Sequence, residues 1–101
     1  MVKTRIPVRQ QHSGRLPQAI RDLVGDSDPV EINTGGCADF ATILWESNRK
    51  LEITSDEDED GREYSHTFIK HQGRFYDAET PDGVEDWRDF PIYARQHSFS
   101  N

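Results

Sequence analysis

Cys37, Phe40, Ala41, Leu44, Trp45 and Asn48 recur at i, i+3, i+4, i+7, i+8 and i+11, the spacing of one helix face. The pattern predicts a helix from Cys37 to about Lys50, entered through Thr34, Gly35 and Gly36, where paired glycines allow a tight turn. Such a stripe has to be covered, and the chain downstream of it reads as sheet. Leu51–Thr54 fits a strand, and Tyr64–Lys70 and Arg74–Ala78 alternate like two more, with His71, Gln72 and Gly73 at the turn between them. Thr80–Gly83 reads as a further turn, Asp86–Phe90 as a single helical turn and Pro91–Ala94 as a last strand. Upstream, Leu16, Ala19, Ile20, Leu23 and Val24 mark a short helix over Pro17–Val24, with Pro17 in its first turn and Gly25 as its stop. Asp26–Pro29 breaks the chain, and Val30–Ile32 is too short to type. The expected class is α+β: a long helix bearing the cysteine, packed on a small antiparallel sheet.

With 101 residues, one domain is expected. Its division is an extended N-terminal arm over residues 1–13, a compact body over 14–95 and a tail over 96–101. Hydrophobic residues make up only 33% of the chain, so the core is small and its ten aromatics must supply much of the bulk. The 19 acidic against 12 basic residues leave a formal charge of −7, which repels phosphate backbones and argues against nucleic acid as a partner. Nine of the twelve basic residues are Arg, a balance that resembles proteins of salt-loving archaea and their viruses. The stretch Met1–Gln11 is polar and basic, unlike a secretory signal or a membrane span. A cytoplasmic place, or one inside a virus particle, is the expectation.

Cys37 is the single cysteine, which excludes an intramolecular disulfide. A thiol reacts as its thiolate, and free N–H groups with the positive dipole end at a helix start stabilise that anion. The same N–H groups can serve an oxyanion in acyl transfer. Asp39 in the first turn opposes this. A small Cys packed on an apolar helix face is the competing reading. The hairpin weighs against it. A turn centred on Gln72–Gly73 pairs Phe68 with Asp77 and leaves His66 one diagonal step away on the same face, within reach of an imidazole–carboxylate bond. Asp77 then fixes the tautomer and direction of His66, as the third member of a triad does.

Gly36-Cys37-Ala38-Asp39-Phe40-Ala41 resembles the Gly-Cys-x-x-Phe-Ala helix start of transglutaminase-like thiol enzymes, within the wider papain-like fold. His66-Thr67-Phe68 is similar to their His-x-aromatic strand, and Arg74-Phe75-Tyr76-Asp77-Ala78 to their next strand, aromatic-aromatic-Asp. The likeness covers about Thr34–Thr80, in the same Cys, His, Asp order. It implies Cys37 as nucleophile, His66 as general base and acid, and Asp77 as orienting group, acting without a cofactor on a peptide or protein amide or isopeptide bond. Peptide hydrolysis, deamidation and cross-linking share the thioester intermediate. The stretch from Cys37 to His66 is short for that family, and no upstream oxyanion side chain is evident beyond Gln18 and Asn33. The alternative is an inactive structural or adaptor subunit of a larger assembly that retains the fold.

Other features point to packing or solvation. Asp56-x-Asp58-x-Asp60-Gly61 matches half of a calcium loop, but Thr67 stands where the bidentate Glu belongs, so Ser55–Gly61 reads as a solvated acidic loop. His12, His71 and His97 lack metal-ligand spacing, and no metal is expected. Trp87, Phe90 and Tyr93 read as packing onto the sheet, with substrate stacking a second role for Trp87. Phe99 falls in the tail.

Overall fold

The computed structural model describes residues 8–100, with side chains described for 15–96. Among them the chain forms α1 (Val8–Val24), α2 (Pro29–Gly35), α3 (Cys37–Ser47), β1 (Glu52–Ser55), α4 (Asp56–Asp60), β2 (Thr67–His71), β3 (Arg74–Asp77), β4 (Thr80–Val84), a 3-10 turn (Trp87–Asp89) and α5 (Pro91–Ser100). The strands make an antiparallel sheet in the order β1-β2-β3-β4. The class is α+β, as the element pattern predicts. No helix among the described residues is long and apolar enough to cross a membrane.

The β2–β3 hairpin has the expected register. His71 faces Arg74, Lys70 faces Phe75 and Ile69 faces Tyr76, which carried one step further sets Phe68 opposite Asp77. Gln72 and Gly73 both take positive φ (53° and 80°), the two-residue turn whose twist suits a hairpin. Alternation along these strands divides the core. Ile69, Tyr76 and Ala78 meet Leu16 and Ile20 of α1 and Phe40, Ala41 and Leu44 of α3. Phe68 and Phe75 meet Trp87, Phe90 and Ile92. The sheet is therefore covered on both faces, by two long helices on one and an aromatic cluster on the other. Phe68 lies at the centre of that cluster, with Trp87 stacked at 5.8 Å and Phe90 edge-on at 5.0 Å.

Several boundaries differ from the sequence-based expectations. Residues 8–13 are helical, so the arm is not extended there, and its first seven residues lie outside the described ones. Pro17 consequently sits inside α1, where it removes one backbone bond. The acidic Ser55–Gly61 segment is α4, not a loop. Ser55 caps it by accepting from Asp58 N–H, four acidic residues face its positive end, and Gly61 closes it at φ 77°. The expected turn over Thr80–Gly83 is β4, which pairs with β3 through an irregular register. The expected last strand and the start of the tail form α5, with Pro91 at the first position, where its missing N–H costs nothing.

Gly83 is constrained twice. Its φ is +81°, and a Cβ there would lie 2.7 Å from Cε2 of the buried Tyr76 ring. Gly83→Ala is expected to destabilise by about 2 kcal/mol and lower Tm by roughly 10 °C. Thermal unfolding by circular dichroism measures this; Gly35→Ala, where a Cβ meets nothing within 4 Å, is the control.

Candidate active site

Gly36 joins two helices. Its N–H donates to Ile32 O at 2.7 Å, ending α2, while its carbonyl accepts Phe40 N–H at 2.9 Å, opening α3. Its φ is −123°, so the tight junction rests on a shared capping residue and not on a left-handed glycine. Cys37 becomes the first residue of α3, half-buried at the end of the sheet where the chain enters β2. Thr67 N–H donates to Cys37 Sγ at 3.5 Å, and the Tyr64 hydroxyl lies 3.8 Å from the sulfur and 2.7 Å from Thr67 Oγ1.

His66 immediately precedes β2 and is fully buried, with Phe68, Phe90 and Tyr93 rings around it at 5.6, 5.7 and 6.1 Å. Its Nε2 bonds Asp77 Oδ2 at 2.9 Å. A carboxylate only accepts, so Nε2 carries the hydrogen and Nδ1 is left with its lone pair when the ring is neutral. Nδ1 makes no hydrogen bond of ordinary geometry, yet the ring and the Cys37 thiol lie close enough to shift each other's titration.

Two buried carboxylates hold this histidine. Asp77 Oδ1 accepts from Glu79 N–H at 3.0 Å and from the Thr80 hydroxyl, while Oδ2 accepts from His66 and from Asn33 Nδ2 at 3.0 Å. Asn33 Nδ2 also donates to Glu79 Oε2 at 2.8 Å, and Arg95 clamps Glu79 with bonds of 2.8 and 2.7 Å. The Arg95 guanidinium, with Asn33, holds the Glu79 carboxyl below its usual range despite its partial burial. The second carboxylate, Asp56, is fully enclosed and accepts from Ser65 N–H, the Ser65 hydroxyl, the Tyr93 hydroxyl (3.0 Å) and, at 3.4 Å, His66 N–H. Asp77 aims the imidazole and Asp56 anchors its backbone.

The electrostatics result from these contacts. Burial pushes the Cys37 thiol up, but His66, the Thr67 N–H and the Tyr64 hydroxyl outweigh it and bring the pKa down to about 7. Burial disfavours the charged imidazole, but Asp77 and the thiol outweigh it and raise His66 to about 9. Between those values the favoured state is a thiolate beside an imidazolium.

Cys37, His66 and Asp77 are thus brought together. The other sequence candidates go elsewhere. Gln18 is exposed on α1, with its amide donating to Asp22 of the same helix at 2.9 Å. Asn33 reaches the site from behind, on Asp77 and not on the sulfur. Trp87 is buried, stacked on Phe68 and flanked by the Arg62 and Arg88 guanidinium groups, which leaves no face for a substrate ring. Among the described residues no His, Cys, Asp or Glu side chains are grouped to hold a metal ion. Sequence reasoning missed Tyr64, Thr67, Asp56 and the Glu79–Arg95 pair. The Ser55-x-x-Asp58 capping pattern was a usable signal for α4, though not for the burial of Asp56. Searches against protein-family models, curated proteins and solved structures find no match to the chain.

Asp56→Ala leaves the Tyr93 hydroxyl and the Ser65 donors without their acceptor and is expected to destabilise by about 3 kcal/mol or more. Its hydrogen bonds outweigh burial and hold the Asp56 carboxyl below its unfolded value. Its stabilisation is therefore full above the unfolded pKa and lost as pH falls through the lower, folded one. Urea unfolding at pH 7 and in acid tests both points. The gap between wild type and Asp56→Ala should shrink in acid, while exposed Asp58→Ala should stay near wild type throughout.

Proposed function

We propose that this chain is a thiol enzyme that cleaves or transfers an amide or isopeptide acyl group through Cys37, within the transglutaminase-like or papain-like class its motifs resemble. The supporting observation is the buried His66, tied to Asp77 through Nε2, beside the partly buried Cys37 at a helix start. Cys37 Sγ adds to the carbonyl carbon. His66, as imidazolium, then protonates the leaving amine, and a thioester forms. Water or a second amine, deprotonated by the neutral imidazole, attacks the thioester and returns Cys37. Asp77 keeps the Nε2–H tautomer throughout.

A hollow of about 200 Å³ lined by Thr34, Ser65, Ile92, Arg95 and Gln96 lies next to His66 and Asn33 in the chain. Its size suits one side chain of a peptide or protein substrate better than a whole small molecule. An inactive structural subunit would be favoured by a sulfur sealed under Trp45 or Phe68. Trp45 packs with α1 and α3, Phe68 with the aromatic cluster, and Cys37 is only partly buried.

Alkylation by iodoacetamide across pH tests the reading. A pKa lowered to about 7 makes the thiolate dominant above pH 7, so the rate should rise through pH 7. In His66→Ala the inflection should return toward about 8.5, slowing alkylation at pH 7 roughly tenfold. Turnover needs the imidazolium as well, so an amidase rate should be bell-shaped, falling below about pH 7 and above about pH 9. A wild-type inflection near 8.5 that His66→Ala leaves in place would overturn the proposal.

A further inference from the structure

We infer that Tyr64 is a catalytic residue, its phenol donating a hydrogen bond to the oxyanion that forms when Cys37 attacks a carbonyl; this rests on the thiol-enzyme reading above. Acyl transfer needs donors beside the nucleophile for the charge that develops on the carbonyl oxygen. Neither upstream amide supplies one, because Gln18 bonds Asp22 and Asn33 bonds Asp77 and Glu79. Thr67 N–H donates to the sulfur at 3.5 Å, and the Tyr64 hydroxyl lies 3.8 Å from it; toward a thiolate, which only accepts, the phenol is the donor. Donors that far from Sγ can lie roughly 2.7–3.1 Å from an oxygen carried on the carbon bonded to it.

Tyr64 is also held in place. Its hydroxyl lies 2.7 Å from Thr67 Oγ1, so the threonine can donate to the phenol while the phenol hydrogen points at the sulfur. Tyr64 is 47% exposed whereas His66 is enclosed, so of the two groups beside the sulfur the phenol is the one open to solvent. When the thiolate pair forms the new S–C bond, the carbonyl π pair moves onto oxygen. The two hydrogen bonds then pass from a sulfur that has lost its charge to an oxygen that has gained it. On collapse the pair returns to the carbonyl, the leaving group departs with the C–X electrons, and the thioester remains.

Two probes separate this role from a general effect on the thiol. Iodoacetamide reacts by displacement and makes no oxyanion. p-Nitrophenyl acetate makes one, then releases nitrophenolate and leaves S-acetyl Cys37. Rates for wild type and Tyr64→Phe are compared at equal thiolate fraction, read from each protein's own alkylation profile. The expected result is alkylation within about twofold of wild type, with acylation slower by roughly 10–100-fold. Thr67→Val, which keeps the backbone donor but unpins the phenol, should slow acylation in the same direction by a smaller factor. Equal loss in both reactions, or loss in neither, overturns the role of Tyr64 while a wild-type inflection near pH 7 leaves the Cys37–His66–Asp77 reading standing. Absence of nitrophenolate release from a wild-type thiol titrating near pH 7 also overturns it. A wild-type inflection near 8.5 removes the reading on which it rests.

Discussion

The hydrogen bond between His66 Nε2 and Asp77 Oδ2 joins two side chains that water does not reach, and four elements are arranged around keeping it satisfied. Asp77 ends β3, His66 immediately precedes β2, Asn33 comes from α2, Glu79 lies in the turn after β3 and Thr80 opens β4. A carboxylate removed from water needs each lone pair answered, and here four donors do so. Removing one member of such a buried pair typically costs about 3–5 kcal/mol, because the other is left charged and alone. The tight turn from β3 into β4 answers the same demand, since it presents the Glu79 N–H to Asp77 at 3.0 Å.

Rigid and open parts of the site are divided along the chain. Behind His66 most groups are buried: Phe68 and Phe90, Asp56 beneath its backbone, and Asn33 behind Asp77, with the Glu79–Arg95 pair reaching toward the surface. In front lie a half-buried sulfur and an exposed phenol. Under the proposed function this would suit a nucleophile beside a fixed base: the His66 ring and peptide are both held, while Cys37 is only partly buried. The low polarity around the imidazole strengthens its bond to Asp77, and that bond in turn keeps a buried ring chargeable near neutral pH.

Much of the fold was legible where periodicity and turn chemistry agreed. The α3 face, the Gln72–Gly73 turn and the hairpin register all rest on local pattern, and the pairing of Phe68 with Asp77 comes from counting back from that turn. Segments whose local signals conflict were read less well. Ser55–Gly61 looks like solvent-facing charge, yet its cap and helix dipole make it α4, and one of its carboxylates is fully enclosed. Pro91–Ala94 offered too few residues to distinguish strand from helix, and packing of Phe90 and Ile92 against Phe68 decided it. Pro17 signalled a helix start, but α1 continues upstream of it.

The sequence by itself determined which groups the proposed function draws on: one thiol at a helix start, and a histidine and an aspartate at hairpin spacing. These are consequences of local geometry, 3.6 residues per helical turn and two per strand repeat. Only the tertiary structure decided what surrounds those groups. That Asp56 holds the His66 backbone, that Glu79 meets Arg95, and that Tyr64 faces the Cys37 sulfur depend on residues 10, 16 and 27 positions apart meeting in space. No periodic rule reaches that far. The reason is desolvation: buried charges must find partners, and which partners are in reach is known only once the layers have packed.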